Sequence, residues 1–515
     1  MDEMGVAAFA ARTPAKTALI EGDRSVSYAA LNARMNQVAR ALQRMGLGPG
    51  DRIGSALRNR IEWFEVAGAA SRVGVTVVPV SWRAASSEVA YLVQDSSAAV
   101  VFAESDAAEV MRGLPAIFMG QAYEDLVRQE SEEAPEVATD RPLIGFRYYT
   151  SGTTGQPKAI EGEMPTGKDL AALRAAFSPP APTTALGSDG KRPLGRGQTE
   201  GLESPDEVHL LVGPTYHTAP GAFANRALHY GQTVVVMQHF VAEECLRLMA
   251  EHRVTWSHMV PINFVRLLKI PDLTRQSFDL TSVRRILHAA APCPVEVKRA
   301  IMEVFPPGSI YEYYGATEGL ATVCPADEWL AKPGTVGRAA DGIEIRIFDD
   351  DGLALPAGEV GTVYFSTMMR FSYAGAPEKT QQAWRGEFFT AGDMGYLDED
   401  DYLFLTDRKI DLIISGGANV YPAEVEAVLY LQPAVVDVAV FGVPDTEWGE
   451  RVHAVIEVRA PISEEAVIAF CRTRLAHYKC PTSVEITESL PRDPNGKIRK
   501  RLLRDPYWAS TEKKI

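Results

Sequence analysis

The run "VHLLVGP" (residues 208–214) is a short apolar stretch that closes with Gly and Pro. Two further runs of this kind, "VTWSHMVP" (254–261) and "VRRILHAAAP" (283–292), come after the helix-like segment "AEECLRLMAEHRV" (242–254). The alternation of short strands with amphipathic helices predicts an α/β sheet. Ligands of such sheets lie beyond the carboxyl ends of the strands, so we expect the functional residues near these Pro, Gly and Ala endings.

The pattern continues on both sides of this region. Upstream, the helix-like "YAALNARMNQVARALQRMGL" (28–47) and the strand-like "VGVTVVPV" (73–80) repeat the alternation. Downstream of residue 340 the chain changes to short strands with turn signals, such as "GTVYFS" (361–366). The last part, from "AEVEAVLYL" (423–431) onward, reads as a small α+β unit of about a hundred residues.

Composition limits the class of protein. A chain of 515 residues is too long for one core, so two or more domains are expected. The net charge of −15 argues against a nucleic-acid partner. Five cysteines without a C-x-x-C pair favour reduced thiols over disulfides or zinc, and neither a signal peptide nor an apolar run of spanning length is evident. We therefore expect a cytoplasmic protein without a membrane span.

The stretch "YYTSGTTGQPKAI" (148–160) has the composition of an anion-binding loop. It fails the P-loop pattern G-x-x-x-x-G-K-[ST], because Pro157 stands at the second Gly and Ala159 follows Lys158. Its glycines still permit close backbone approach, and its hydroxyls and lysine can contact phosphates. The alternative is a solvated loop that joins two elements. The residues in question are Thr150, Ser151, Gly152, Thr153, Thr154, Gly155 and Lys158.

A second motif, "EYYGATEGL" (312–320), follows a strand-like run. Tyrosine can stack on a heterocycle, Thr317 can donate to a phosphate, and Glu318 offers the hard oxygen that Mg²⁺ prefers. Taken alone, this motif is weak evidence for a nucleotide site.

Together with "YYTSGTTGQPKAI", this motif resembles the acyl-adenylate-forming enzymes, which include acyl-CoA synthetases, firefly luciferase and the adenylation domains of peptide synthetases. The resemblance continues through the segment 386–426, which contains "FTAGD" and "LIISGGANVYPAEVE", to "LPRDPNGKIRKRLLR" (490–504). It covers nearly the whole chain in order and is closest to fatty-acid-type acyl-CoA ligases.

The resemblance implies a fold. We expect a large N-terminal α/β domain (residues 1–408), in which sheets are sandwiched with helices beside a small β-rich subdomain. A small, mobile α+β C-terminal domain (409–515) should follow, with the join near "TDRKIDLI".

The resemblance also implies ATP, Mg²⁺ and coenzyme A as ligands and assigns roles to the motifs. The loop 148–160 would bind the β- and γ-phosphates of ATP. Thr317 would bind the α-phosphate, Glu318 the Mg²⁺ ion, Asp393 both ribose hydroxyls, and Arg408 the ribose or phosphate. The residues that would surround adenine are Ala289, Ala290, Ala291, Pro292, Tyr313, Tyr314 and Gly315.

Lys497 is the strongest candidate for catalysis. Asn495 and Gly496 predict a tight turn, which would place Lys497 at a loop tip. In enzymes of this type the matching lysine reaches the carboxylate and the α-phosphate, where a cation stabilises the charge of the adenylation transition state. The alternative, an exposed basic run, suits Lys500 and Arg501.

The second half-reaction would use the other face of the small domain. The resemblance implies that this domain rotates after adenylation, so that Gly416 and Gly417 line the pantetheine tunnel. Lys479 would contact the CoA nucleotide, unless it belongs to a plain surface loop. Ile410 stands at the hinge, where Asp or Lys is usual, which puts the efficiency of thioester formation in doubt.

The substrate is indicated less directly. His217 matches a position beside the acyl carboxylate, although a single histidine in a turn is more often structural. The stretch 214–231 lacks the Asp that binds an α-amino group, which disfavours amino acids, and its small residues favour a bulky hydrophobic acid of the terpenoid, steroid-like or aryl kind.

Several alternatives stay open. They are transfer of the acyl group to a carrier protein instead of CoA, a luciferase-like oxygenase, and an enzyme efficient only in adenylation. The Pro- and Gly-rich segment 162–205 either flanks the site or is a disordered insertion. The sequence leaves a monomer and a homodimer equally open.

Overall fold

The structure, a computed structural model, falls into two compact units. It describes residues 4–136, 145–150, 157–162, 201–367, 370–408, 411–416, 418–492 and 498–509, with the backbone alone at residues 150, 407 and 408. The first unit comprises Met1–His288, Met302–Tyr311 and Met369–Thr380. The second unit comprises Ala289–Ile301, Glu312–Met368 and Gln381–Ile515.

The elements of the first unit alternate between helix and strand. Its helices are α1 (Val6–Arg12), α2 (Tyr28–Arg44), α3 (Ile61–Val73), α4 (Ser86–Ser96), α5 (Gln121–Arg128), α6 (Thr218–His229), α7 (Ala242–Glu251), α8 (Pro261–Leu268) and α9 (Asp272–Gln276). Its strands are β1 (Thr17–Glu21), β2 (Arg24–Ser27), β3 (Arg52–Ala56), β4 (Thr76–Pro79), β5 (Val101–Ala103), β6 (Ala116–Phe118), β7 (Tyr149–Thr150), β8 (Lys158–Gly162), β9 (Val208–Leu211), β10 (Thr233–Val236), β11 (Trp256–Met259) and β12 (Arg285–His288).

Two elements cross the border between the units, namely α10 (Val295–Val304) and β13 (Ile310–Ala316). The next elements are β14 (Gly319–Cys324), α11 (Ala326–Ala331), β15 (Arg338–Ala339), β16 (Ile345–Phe348), β17 (Gly361–Ser366), β18 (Phe371–Tyr373), α12 (Pro377–Ala383), β19 (Trp384–Arg385), β20 (Phe388–Phe389), β21 (Asp393–Leu397) and β22 (Leu403–Arg408). The last elements are β23 (Ile413–Ser415), β24 (Ala418–Val420), α13 (Pro422–Tyr430), β25 (Val435–Asp445), β26 (Gly449–Val458), α14 (Glu464–Arg472), a 3₁₀ turn (His477–Lys479), β27 (Ser483–Thr487) and α15 (Lys500–Trp508).

Parallel sheets dominate the first unit. Strands β12, β11, β9, β10 and β1 are parallel neighbours in that order, and β2 is antiparallel to β1. A second parallel sheet has the order β4-β3-β5-β6, and β18, β8 and β7 form a small antiparallel sheet. The predicted strands at 208, 256 and 285 are confirmed as adjacent parallel strands of one sheet.

Helix α2 shows why the sequence pattern predicted helices correctly. Its buried apolar residues recur at helical spacing, as in Leu31, Met35, Val38 and Leu42. Ser27 caps the helix, because its hydroxyl accepts a hydrogen bond from the N–H of Ala30 at 3.2 Å.

The second unit consists largely of antiparallel sheets. Strands β13, β14 and β15 contribute one antiparallel ladder, and β19-β20-β17-β21-β22, with β16 on β17, forms another sheet. The last sheet has the order β24-β23-β26-β25, with β27 parallel to β26. A hydrophobic core drawn from residues between Ile413 and Val484 supports this last sheet.

The short strands predicted after residue 340 and the mixture of helices and strands predicted from residue 423 onward are both observed. In the part of the chain that the structure describes, no helix is both long enough and apolar enough to cross a membrane. Most of the Pro- and Gly-rich segment, residues 163–200, lies outside the described residues.

Candidate active site

The hairpin formed by β13 and β14 presents Thr317 and Glu318 at its tip. Ala316 pairs with Gly319, so Thr317 and Glu318 form the turn between them. Thr317 is exposed and Glu318 is half-buried. The ladder shifts register at Gly315, where a Cβ atom would lie 2.5 Å from the carbonyl oxygen of Gly319. Only glycine fits at this bulge, because any side chain would push the two strands apart.

Tyr314 connects this hairpin to the strand that carries the predicted ribose ligand. Its ring is buried edge-on against Phe365, with ring centroids 6.1 Å apart. Its hydroxyl donates a hydrogen bond of 2.7 Å to Oδ2 of Asp393. The structure therefore brings together two predicted residues that are 79 positions apart in the sequence.

Asp393 begins β21 and lies opposite Arg408 of β22. The turn before it is held by Thr390, whose hydroxyl accepts a hydrogen bond from the N–H of Gly392 at 3.0 Å. Gly392 has a φ of +83°, a conformation that favours glycine. The hydroxyl that orders this turn is therefore that of Thr390.

The adenine segment, Ala289–Pro292, comes directly after strand β12, as predicted for a ligand at a strand end. Ala289 is buried, while Ala290, Ala291 and Pro292 are exposed. Ala290 has a φ of +76°, which is strained for a residue other than glycine. Such strain is concentrated at functional sites, and the adenine role of this segment stays a prediction.

A buried ion pair lies behind the hairpin. Lys298 on α10 is fully buried, and its Nζ lies 2.5 Å from Oε2 of Glu312 on β13 and 4.7 Å from the ring centre of Trp329. Burial raises the pKa of Glu312, and the charge of Lys298 opposes that shift. No sequence motif indicated this pair.

The predicted phosphate loop is the connection of a β-hairpin. Thr150 pairs with Lys158 at the ends of β7 and β8, and Lys158 is half-buried. The hydroxyl of Tyr91 donates to the carbonyl of Pro157 at 2.9 Å, and that of Tyr149 donates to Asp95 at 2.7 Å. Five predicted phosphate ligands lie outside the described residues, namely Ser151, Gly152, Thr153, Thr154 and Gly155.

His217 is the N-cap residue of α6, beyond the end of β9, as the sequence predicted. Burial, and to a smaller extent the nearby imidazole of His217, lowers the pKa of His258 on β11 to about 3. Burial, and to a smaller extent repulsion from His258 once that ring is protonated, lowers the pKa of His209 on β9 to about 3. Histidines 209 and 258 are therefore neutral in the folded protein at neutral pH.

The loop before α6 is fixed by Asn59, which the sequence did not single out. Its amide donates to the carbonyls of Gly213 and Met237 at 2.9 Å, and its oxygen accepts the N–H of Thr215 at 2.9 Å. A single asparagine without a surrounding motif offers no signal in the sequence for this role.

The residues predicted to bind CoA are only partly described. Gly416 has a φ of +57°, and a Cβ atom there would lie 2.4 Å from the ring of Trp448. Lys479 places its Nζ 2.7 Å from both carboxylate oxygens of Glu424. Gly417, the hinge residue Ile410 and the catalytic candidate Lys497 lie outside the described residues.

The side chains near the hairpin tip fit a magnesium ion that takes most of its oxygen ligands from the substrate phosphates and from water. Within the described ranges, no group of three or more His, Cys, Asp or Glu side chains could hold a metal. Mg²⁺ at nucleotide sites usually takes one or two carboxylates together with phosphates and water. A single carboxylate at the hairpin tip, that of Glu318, fits this pattern.

Comparisons with known proteins agree with the motif order. The family models for the AMP-binding enzyme and for the AMP-binding enzyme C-terminal domain match residues 6–371 and 424–497. The fatty acid–[acyl-carrier-protein] ligase ScoC of Streptomyces coeruleorubidus is 32% identical over 98% of this chain and 95% of its own length. The long-chain-fatty-acid–CoA ligase FadD13 of Mycobacterium tuberculosis is 31% identical over 95% of each chain.

Solved structures extend the likeness to the fold. The o-succinylbenzoate CoA synthetase of Bacillus subtilis, in complex with its acyl-adenylate intermediate, has a TM-score of 0.79 at 27% identity over 97% of both chains. The ATP-bound MatB of Rhodopseudomonas palustris has a TM-score of 0.79 at 28% identity over 99% of this chain and 100% of its own. These matches confirm the resemblance and the fold class predicted from the sequence.

Proposed function

The chain belongs to the AMP-binding enzyme family, and on that premise we propose that it activates a bulky hydrophobic carboxylic acid as acyl-AMP and then transfers the acyl group to CoA. It is an AMP-forming ligase of the acid–thiol type, related to acyl-CoA and acyl-carrier-protein ligases. The acid, the acceptor and the residue roles below are part of the proposal.

The hydrogen bond between Tyr314 and Asp393 is the observation that carries the proposal. It orients a carboxylate beside an aromatic ring, and a carboxylate accepts the two ribose hydroxyls of a nucleotide well. Thr317 and Glu318, at the tip of the same hairpin, supply a phosphate donor and a metal ligand. Together these groups suit the ribose and the phosphates of ATP.

In the adenylation step, an oxygen of the substrate carboxylate attacks the α-phosphorus, and the bond to pyrophosphate breaks. Thr317 would donate to the α-phosphate, and Lys497 would stabilise the charge that develops on the α-phosphate and the carboxylate. Glu318 would hold Mg²⁺, which when bound neutralises charge on the phosphates. The loop between Thr150 and Lys158 would bind the departing pyrophosphate.

In the thioester step, the thiol sulfur of CoA attacks the acyl carbonyl and AMP leaves. Gly416 would allow the pantetheine arm to approach the backbone, and His217 would lie beside the acyl group. Lys479 would reach the CoA nucleotide from its position on Glu424. A carrier protein is the second candidate acceptor, because the relative ScoC is a ligase that uses one.

The surroundings of α6 support a bulky hydrophobic acid, of the terpenoid, steroid-like or aryl kind. Phe223 packs against Trp256 and His258, with ring centroids 6.0 and 5.4 Å apart, so that this face is aromatic and bears neutral imidazole. Two relatives at 31% and 32% identity are named for aryl acids, a feruloyl-CoA synthase of Amycolatopsis and a 2-succinylbenzoate–CoA ligase of Geobacillus kaustophilus. We place the reaction in the cytoplasm, where ATP and CoA are available, and expect a monomer or a homodimer.

Pyrophosphate exchange into ATP tests the adenylation step. A panel of ferulate, 2-succinylbenzoate, palmitate, cholate, acetate and phenylalanine should show exchange with a bulky acid and little with acetate or phenylalanine. Lys497→Ala should lower that exchange by at least about 100-fold, as expected when a charge-stabilising group is removed. Equal exchange by parent and variant would remove Lys497 from the catalytic assignment.

The acceptor is tested with the same acids. Mass detection of the acyl thioester after addition of free CoA, in parallel with phosphopantetheinylated carrier protein, distinguishes the two candidates. Formation of acyl-AMP without transfer to either acceptor would favour an enzyme efficient only in adenylation.

A further inference from the structure

The buried ion pair of Lys298 and Glu312 links the helix that follows the proposed adenine segment, Ala289–Pro292, to the strand that carries Tyr314. Lys298, on α10, is fully buried, and its Nζ lies 2.5 Å from Oε2 of Glu312 on β13. Glu312 is itself only 5% exposed. The pair therefore ties the helix to the strand inside the protein, and not at its surface.

On the helix side, the backbone connects the pair to the adenine segment. The N–H of Lys298 donates to the carbonyl of Pro294 at 2.9 Å and closes the first turn of α10. Pro294 lies two residues after Pro292, and each proline fixes its own φ at about −65°, so few free torsions separate the pair from the segment. Burial raises the pKa of the Cys293 thiol, the charge of Glu312 raises it further, and that of Lys298 opposes the shift. The pair thus acts electrostatically on the residue that follows the segment.

On the strand side, the pair is close to the contact between Tyr314 and Asp393. Residues two apart on a strand point to the same face, so Glu312 and Tyr314 share one face of β13, about 6.5 Å apart along the strand. The ladder with β14 is regular from Glu312 to Tyr314 and shifts register only after Tyr314. The hydroxyl of Tyr314 donates to Asp393 on β21 at 2.7 Å. One face of β13 is therefore held by α10 at one residue and by β21 two residues further on.

Stability alone does not explain why charged groups occupy this position. Desolvation of two buried charges offsets much of their attraction, and apolar side chains of similar volume often stabilise a protein as well or better. A buried pair instead specifies one arrangement, because a shift of the helix along the strand would leave both charges unpaired inside the protein. The ring of Trp329, with its centre 4.7 Å from Nζ of Lys298, adds a second contact for the same ammonium group.

We propose that Lys298 and Glu312 are positioning residues for ATP. They fix α10, and with it the segment Ala289–Pro292, in one register with the strand that carries Tyr314, so that an adenine ring fits between the segment and the tyrosine. Because they are buried, they act through these neighbours and not by contact with the nucleotide. This role rests on the proposed function, in which the segment and Tyr314 bind adenine.

The double variant Lys298→Met with Glu312→Leu separates positioning from stability. It buries no charge, so its urea midpoint should be at or near that of the parent. In pyrophosphate exchange with the panel acid that gives the highest parental rate, its KM for ATP should rise about 10-fold while kcat changes less than about 3-fold, because adenine is a non-reacting part of the substrate. The KM values for the acid and for pyrophosphate should change less than about 3-fold, since neither contains adenine.

Titration calorimetry with AMP measures the same effect without turnover. The Kd for AMP should rise about 10-fold in the double variant.

Lys332→Met is the control for both measurements. That lysine also pairs with carboxylates, those of Asp398 and Asp400, and its Nζ lies 5.0 Å from the ring centre of Tyr402. Asp398 follows the end of β21 that is opposite to Asp393. Lys332→Met should therefore leave the KM for ATP and the Kd for AMP unchanged.

The other outcomes count against the positioning role. A double variant with the parental KM for ATP and the parental Kd for AMP overturns it. A double variant whose urea midpoint falls and whose kinetic constants all worsen together also overturns it, because the pair is then merely structural. If the parent binds AMP but exchanges pyrophosphate with none of the acids, the proposed function fails while the AMP titration still decides the positioning role. A parent that binds neither ATP nor AMP overturns both.

Discussion

At the scale of single residues, Tyr314 joins the β13–β14 hairpin to the proposed ribose ligand. Its ring packs edge-on against Phe365, and its hydroxyl donates a hydrogen bond of 2.7 Å to Asp393. A hydrogen bond to a charged group contributes about 1.5–3 kcal/mol, so Tyr314→Phe should raise the KM for ATP by roughly 10-fold with little change in kcat. Steady-state exchange kinetics at varied ATP measure this.

The control for this prediction lies on the same strand pair. Tyr396 stacks on Phe404 with ring centroids 5.1 Å apart, away from Asp393 in the ladder of β21 and β22. Tyr396→Phe should leave the KM for ATP unchanged. A KM for Tyr314→Phe equal to that of the parent would show that the hydroxyl does not prepare Asp393 for ribose.

Ala290 makes a second prediction at this scale. Its φ of +76° costs an L-residue about 1–2 kcal/mol, which glycine avoids. Ala290→Gly should therefore raise the free energy of unfolding by about 1 kcal/mol, even after the larger chain entropy of unfolded glycine. Urea unfolding measures the change, and a less stable variant would contradict the backbone strain described for this segment.

At the scale of elements, the buried pair of Lys298 and Glu312 connects α10 to the hairpin that carries Thr317 and Glu318. Lys298→Met would leave the Glu312 carboxyl group buried without its cation, at a cost of about 3–5 kcal/mol. The double variant Lys298→Met with Glu312→Leu should recover most of that loss, because it buries no charge. Urea midpoints of the parent, the two single variants and the double variant form the cycle, and additive effects would argue against a direct coupling.

The elements themselves could be predicted well from the sequence. The strands at Val208, Trp256 and Arg285 and the helix from Tyr28 follow from local apolar spacing and from Gly and Pro at their ends. The partners of side chains could not be predicted in this way. Tyr314 meets Asp393, and Lys500 meets Glu426, only because distant strands and helices pack together, and no local pattern records that.

At the scale of the whole molecule, motif order identified the family, while the contacts divide the chain differently from the sequence. The proposed boundary at 408/409 follows the resemblance to the acyl-adenylate-forming enzymes and lies between the two stretches that the family models match, residues 6–371 and 424–497. The contact-based division instead groups residues 312–368 with the C-terminal part. The contacts record how one conformation of the chain packs, whereas the sequence pattern follows the core of each domain. We therefore retain 408/409 as the proposed boundary.

The acid sensitivity of the protein should originate in the sheet of the first unit. His209 and His258 have pKa values of about 3 in the folded protein, mainly because they are buried, against about 6.5 when unfolded. Between these values the unfolded chain binds more protons than the folded one, so stability is retained above pH 6.5 and lost as the pH falls below it. Each histidine should lower the free energy of unfolding by about 2 kcal/mol between pH 7.5 and pH 5.

The variant His209→Phe tests this prediction without depending on absolute stability. It replaces one titrating ring, stacked on Trp256 at 4.0 Å, with a ring that binds no proton. The slope of unfolding free energy against pH from 6 to 4.5 should therefore decrease by about 1.4 kcal/mol per pH unit, which corresponds to one proton. An unchanged slope for His209→Phe would mean that His209 does not resist protonation in the folded sheet, and the acid sensitivity would then have to originate in other groups.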